Sequence, residues 1–142
     1  MDKAVGTPVP GKTAFIVNLP DATIGQVERV NCRYGLAAAA PGKKAPNALV
    51  EVSVSLYESR SAAAKRISAT EEEWRQNSAS PHTVQVAGHP ATVLTGYGDP
   101  LLVVAAGPRT VAASIDPSVA KPAARDRVLV ALAAAALRGA GG

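Results

Sequence analysis

Between Leu49 and Tyr57 the chain alternates strictly: Val50, Val52, Val54 and Leu56 fall on one side, and Glu51, Ser53 and Ser55 on the other. A period of two is the signature of a half-buried β-strand. The stretch from Val27 to Leu36 has the same rhythm, with Val30, Cys32, Tyr34 and Leu36 opposed to Arg29, Asn31 and Arg33. Ahead of it, the apolar residues Phe15, Ile16, Val17 and Leu19 run up to Pro20-Asp21 and read as a short extra strand in front. Two further pairs of apolar runs, 82–86 with 91–95 and 101–106 with 110–115, meet across Gly88-His89-Pro90 and Gly107-Pro108-Arg109. Glycine and proline between short β runs predict antiparallel hairpins.

Two segments change to helical spacing. After Ser59 and Ser61, either of which can cap a helix, Ala63, Ile67, Thr70 and Trp74 recur on one face, and the pattern ends near Asn77. Glu71 and Arg75 are spaced for an i,i+4 ion pair on that helix. Pro122 suits the first turn of a second helix that reaches Arg138, with Val128, Leu129, Leu132, Ala136 and Leu137 on its apolar side. The order β-β-α-β-β-β-β-α predicts an α+β fold: an antiparallel sheet of about five to six strands with both helices packed on one face. The side carrying Glu51, Ser53 and Ser55 is then the wetter one. Residues 13–139 form one domain in this reading, residues 1–12 a flexible leader or linker, and residues 140–142 a fraying tail. Segment 37–47, with two prolines, a glycine and two lysines, is a hairpin loop.

Composition narrows the function more than it defines it. The hydrophobic residues are mostly Ala and Val, with one Phe, one Trp and three Tyr among 142 residues, so small aliphatic side chains must fill the core. A formal charge of +4 is spread along the chain without a basic cluster or an accompanying aromatic motif, which argues against nucleic acid as a partner. One cysteine, Cys32, precludes an intrachain disulfide and a thiolate zinc site, and its place in an alternating strand makes it a small packing residue. No apolar run is long enough to span a bilayer.

The chemical motifs are weak. Gly6 to Thr13 (GTPVPGKT) matches the phosphate-loop pattern, and a nucleotide-binding enzyme using it is the alternative reading. That chemistry needs converging backbone N–H groups, a strand before and a helix after. Pro8 and Pro10 have no N–H to give, and Pro20 limits any helix that follows. Gly96-Tyr97-Gly98 lacks the third glycine of a dinucleotide fingerprint and reads as a turn. His82 and His89 flank a strand with no closely spaced third ligand, and neither is placed to activate Cys32. No catalytic residue, cofactor or metal is assigned. Glu71-Glu72-Glu73 point in different directions from a helix and form a solvated surface. Trp74 either anchors the helix on the sheet or lines a pocket between them, with Tyr34 or Tyr57 nearby as ligand-binding residues.

The run Val30-Asn31-Cys32-Arg33-Tyr34-Gly35, the Val50–Leu56 strand opening through Tyr57-Glu58-Ser59 into an Ala-rich helix, the Val86–Ala91 hairpin, and the Val103–Ile115 pair followed by an Ala/Leu helix together resemble small cell-envelope lipoprotein ectodomains of actinobacteria, of PsbP-like or LpqN-like layered α/β fold. The likeness covers residues 27–138 and rests on element order and composition. The chain departs from disulfide-bearing relatives in having one cysteine, and from lipoproteins in lacking the lipid-bearing N-terminal cysteine. The resemblance implies export, a tether upstream, and a binding or sensing role without chemistry. Together these readings give an exported, non-enzymatic module that holds a small hydrophobic ligand between helix and sheet, or an envelope protein on the wetter sheet face.

Overall fold

The computed structural model describes residues 12–18, 20–36 and 48–141. Seven strands form one sheet: β1 (Lys12–Asn18), β2 (Gln26–Leu36), β3 (Val50–Tyr57), β4 (Ser80–Val86), β5 (His89–Thr95), β6 (Leu101–Ala106) and β7 (Arg109–Ile115). Helix α1 (Arg60–Gln76) joins β3 to β4, and α2 (Pro122–Gly141) closes the chain. The spatial order is β1-β2-β3-β7-β6-β5-β4, with every neighbour antiparallel. The α+β class and the order of elements are as expected. The strand in front is also present, so the sheet has one strand more than the upper expectation. Of the expected leader 1–12, Lys12 opens β1, and residues 1–11 lie outside the described residues, as does the loop 37–47. At the other end α2 continues as far as Gly141, past the position where the sequence suggested a frayed tail.

Short connections fix the hairpins. Ala87 and Gly88 both have positive φ (49° and 84°), the requirement of a type I′ turn, and they join β4 to β5 in a register that places Val86 opposite His89. Pro90 therefore sits inside β5, opposite Gln85, and not in the turn. The Ser59 side chain accepts from the Ala62 backbone N–H at 3.0 Å and caps α1 two residues after β3 ends.

Antiparallel partners share a face, so the registers sort the side chains into two surfaces. On one, Val50, Val52, Leu102, Val104, Val111 and Ile115 form a buried cluster with Val128, Leu129, Leu132 and Ala133 of α2. On the other, Ser53 of β3, Ala112 of β7, Val103 of β6 and Thr92 of β5 lie in one row, and Glu71 of α1 reaches across to accept a 2.9 Å hydrogen bond from the Thr92 hydroxyl. The helices thus cover opposite faces, in contrast to the single-face packing expected. The physical reason is legible in β6: Leu101-Leu102-Val103-Val104 is apolar without alternation, as a strand must be when both of its faces are covered.

One backbone position is sterically committed. Gly35 has φ of +75°, and a Cβ there would lie 2.7 Å from the Leu49 Cβ. Gly35→Ala is expected to cost at least about 1–2 kcal/mol of stability from the left-handed backbone alone, and the overlap adds to it. A urea midpoint equal to that of the parent would refute this account of the β2 end.

Candidate functional site

The face beneath α1 is not the solvent-facing surface that its Glu51-Ser53-Ser55 alternation suggested. Ser53 and Ser55 are 7% and 6% exposed, and Thr110 and Gln26, on the neighbouring strands β7 and β2, are as deeply buried. Across the sheet the polarity falls off in one direction. The row Arg29–Ser55–Thr110 and the row Arg33–Glu51–Ser114 run from β2 to β7, and the second of these continues into Leu101 of β6 and Leu94 of β5. Leu94 and Val103 on this face are fully enclosed, whereas the β2–β3–β7 side stays polar. Between that polar side and α1 lies a cavity of about 370 Å³. Its floor is Ser53, Ser55, Thr110 and Ser114, and Ile67, Thr70, Glu73 and Arg66 of α1 form its roof.

The polar groups of the wall, and those beside it on β2, are only partly paired. Glu51 accepts from Asn31 Nδ2 at 2.9 Å and stands 3.7 Å from Arg33 Nε. Arg29 has only a long 3.4 Å contact from Nη2 to the Ser53 hydroxyl. Gln26 Nε2 donates to the Tyr57 hydroxyl at 3.4 Å, which closes one end of the cavity. Arg29 Nε, Asn31 Oδ1 and Arg33 Nε are buried with no hydrogen-bond partner. Three unsatisfied groups in a row on one strand are costly, because each forfeits its hydration without replacement.

The residues singled out from sequence do not converge. Tyr57 is buried and lines this cavity. Tyr34 pairs with Val50 and packs against the α2-side cluster, on the other face of the sheet. Burial raises the Tyr34 pKa, and the neighbouring Cys32, two residues away on the same face, raises it further. Cys32 itself is half-buried. Trp74 stands at the far end of α1, where its ring meets Tyr97 edge-on at a centroid distance of 5.2 Å, and a Cβ added at Gly98 would lie 3.9 Å from it. It anchors the helix end on the turn between β5 and β6 and is absent from the cavity wall. The expected aromatic pocket of Trp74, Tyr34 and Tyr57 is therefore replaced by a polar one. The residues that make it, Arg29, Arg66, Ser53, Ser55 and Thr110, could have been found by pairing the polar sides of the three adjacent strands.

Other groups considered for chemistry are accounted for locally. His82 Nε2 lies 2.7 Å from Asp126 Oδ2, an exposed contact between β4 and α2. Glu71 and Glu72 pair with Arg75 at 3.7 and 3.3 Å. No group of three His, Cys, Asp or Glu side chains capable of holding a metal ion occurs among the described residues. Lys12 opens strand β1 and Thr13 follows within it, where a phosphate loop requires those two positions to start a helix; residues Gly6 to Gly11 lie outside the described residues. No described helix is long and apolar enough to cross a membrane.

Beyond the cavity, Asp99 in the turn after Tyr97 has a raised pKa, mainly from burial and secondarily from the charge of Asp116. A carboxyl whose folded pKa is raised loses stability as pH climbs from the unfolded value through the folded one. Asp99→Asn is accordingly expected to raise the melting temperature near neutral pH and to leave it unchanged at pH well below the carboxylate range. An equal gain at both pH values would show that charge is not the cause.

No family model, no curated protein and no solved structure matches the chain.

Proposed function

We propose that this protein is a binding module that holds a small polar molecule in the cavity between α1 and the β2–β3–β7 face of the sheet. The observation that carries the reading is a concave space of about 370 Å³, of the size that encloses small ligands, floored by hydroxyls that a covering helix has buried without packing them into a core. A structural helix–sheet interface is apolar, as the α2 side of this molecule is. Arg29, which lines the cavity, also carries a buried Nε without a partner, and a group left unsatisfied in the free protein is one that a ligand can satisfy. The polarity favours a hydrophilic ligand over the hydrophobic one expected from sequence. The resemblance to actinobacterial envelope ectodomains supports placing the module outside the cytoplasm, where it would retain or sense its ligand without transforming it.

Native mass spectrometry on protein mixed with a water-soluble extract of its host tests the reading. A one-to-one adduct that is lost on denaturation, and weakened by Thr110→Val in the cavity floor, is the expected result. An unliganded mass throughout would overturn it.

A further inference from the structure

The lining charges are unequal in their freedom, and this difference defines what the cavity accepts. Its carboxylates are Asp21, Glu51 and Glu73, and its cations are Arg29 and Arg66. Asp21 is committed to the 3₁₀ turn that follows it: one of its oxygens accepts from the Thr23 backbone N–H at 3.1 Å and from the Thr23 hydroxyl at 2.5 Å. Glu51 is held by Asn31 and Arg33. Neither Arg29 nor Arg66 has a carboxylate within ion-pair distance among the described residues. Arg29 is moreover half-buried, with its Nε shut off from both solvent and protein partners. A guanidinium withdrawn from water is ordinarily paired.

The two free arginines also belong to the same end of the cavity. Helix α1 begins just beyond Tyr57 and finishes where Trp74 meets Tyr97. Arg29 lies opposite Ser55, two residues before Tyr57, and Arg66 is in the first half of the helix. Glu73 is two helical turns further on, about 10 Å away along the axis, toward the end that holds Glu51 and Ser114. Thr110, whose register partner is Ser55, adds a hydroxyl donor at the arginine end.

We infer that the cavity recognises its ligand through an oxyanion, a carboxylate or phosphate, held between Arg29 and Arg66 beside the Ser55 and Thr110 hydroxyls. Guanidinium groups suit planar or tetrahedral oxyanions because two N–H donors can meet two oxygens at once. This inference rests on the reading of the cavity as a small-molecule site and adds the class of group that it takes. Binding through two partly exposed cations should also weaken as ionic strength rises.

The test is a titration followed by backbone amide NMR at low salt, with inorganic phosphate, acetate and the neutral probe acetamide in separate arms. Saturable shifts at Ser53, Ser55, Thr110 and Ala112 with phosphate or acetate are expected, at least tenfold weaker in Arg29→Gln and in Arg66→Gln and unchanged in Arg127→Gln on α2. Arg66 is an exposed helix residue, so its variant tests the inference even where Arg29→Gln perturbs folding. Whichever anion gives the tighter curve identifies the oxyanion. Shifts with acetamide but with neither anion would leave the cavity a binding site and overturn the anion assignment. Anion shifts that survive both arginine substitutions would overturn it as well, as would silence from all three probes.

Discussion

Replacing Leu102 by alanine is expected to lower the free energy of unfolding by about 2–5 kcal/mol, read as a fall in the urea midpoint at unchanged slope. Leu102 is completely buried in β6, on the face that meets α2. Deleting its branch removes transfer free energy and leaves a void that the sheet cannot close, because Ala113 beside it in β7 is already small. The same residue tests the two-faced architecture. Combined with Leu129→Ala, which belongs to the same cluster, it should depart from additivity by about 0.5 kcal/mol or more, because the two truncations share one space. Combined with Ile67→Ala, in α1 on the other face of the sheet, the effects should sum. Additivity in the first pair together with coupling in the second would refute the placement of the helices on opposite faces.

That placement shows where the sequence was readable and where it was not. Alternation in β2 and β3, hairpin turns and the Ser59 cap are local properties, carried by neighbours a few residues apart; the strands and the cap formed where the pattern put them, and the β4–β5 turn formed one residue earlier, at Ala87-Gly88. Which face a helix covers is not local. The exposed-looking Glu51, Ser53 and Ser55 were polar for a different reason than contact with water: they floor a cavity under α1. The alternation shows that the two sides of β3 differ, and it is silent on whether the polar side meets solvent or a ligand. The unbroken apolar run of β6 did contain the answer, since one covered face requires apolar residues only at every second position. The aromatic residues do not mark the site. Trp74 and Tyr57 share a face but are separated by the length of α1, and Tyr34 is on the other side by the parity of its strand position. Arg29 is not distinctive in the sequence, because an isolated arginine in a strand is usually a solvated side chain. The significance of Arg29 depends on Ser55, which the β2–β3 register brings opposite it, and on the neighbouring Ser53.

Arg29→Met is expected to move stability and binding in opposite directions. The half-buried guanidinium has no carboxylate partner among the described residues, a 3.4 Å contact to Ser53 Oγ and an unsatisfied Nε. An unsatisfied buried donor costs about 1–3 kcal/mol, and replacing a poorly compensated buried charge by an apolar side chain of similar length commonly stabilises. The variant should therefore unfold at a higher urea concentration, by an amount corresponding to about 1–3 kcal/mol, while its affinity for phosphate or acetate falls at least tenfold. A residue retained for packing or for a structural ion pair would lose stability on the same substitution. Such a loss, with anion binding intact, would return Arg29 to the scaffold. The stabilised, non-binding outcome is the one expected where a fold has kept strain in a site because an occupant relieves it. It also predicts that saturating the parent protein with the anion narrows the stability gap to the methionine variant, since ligand bound to the native state raises the parent alone.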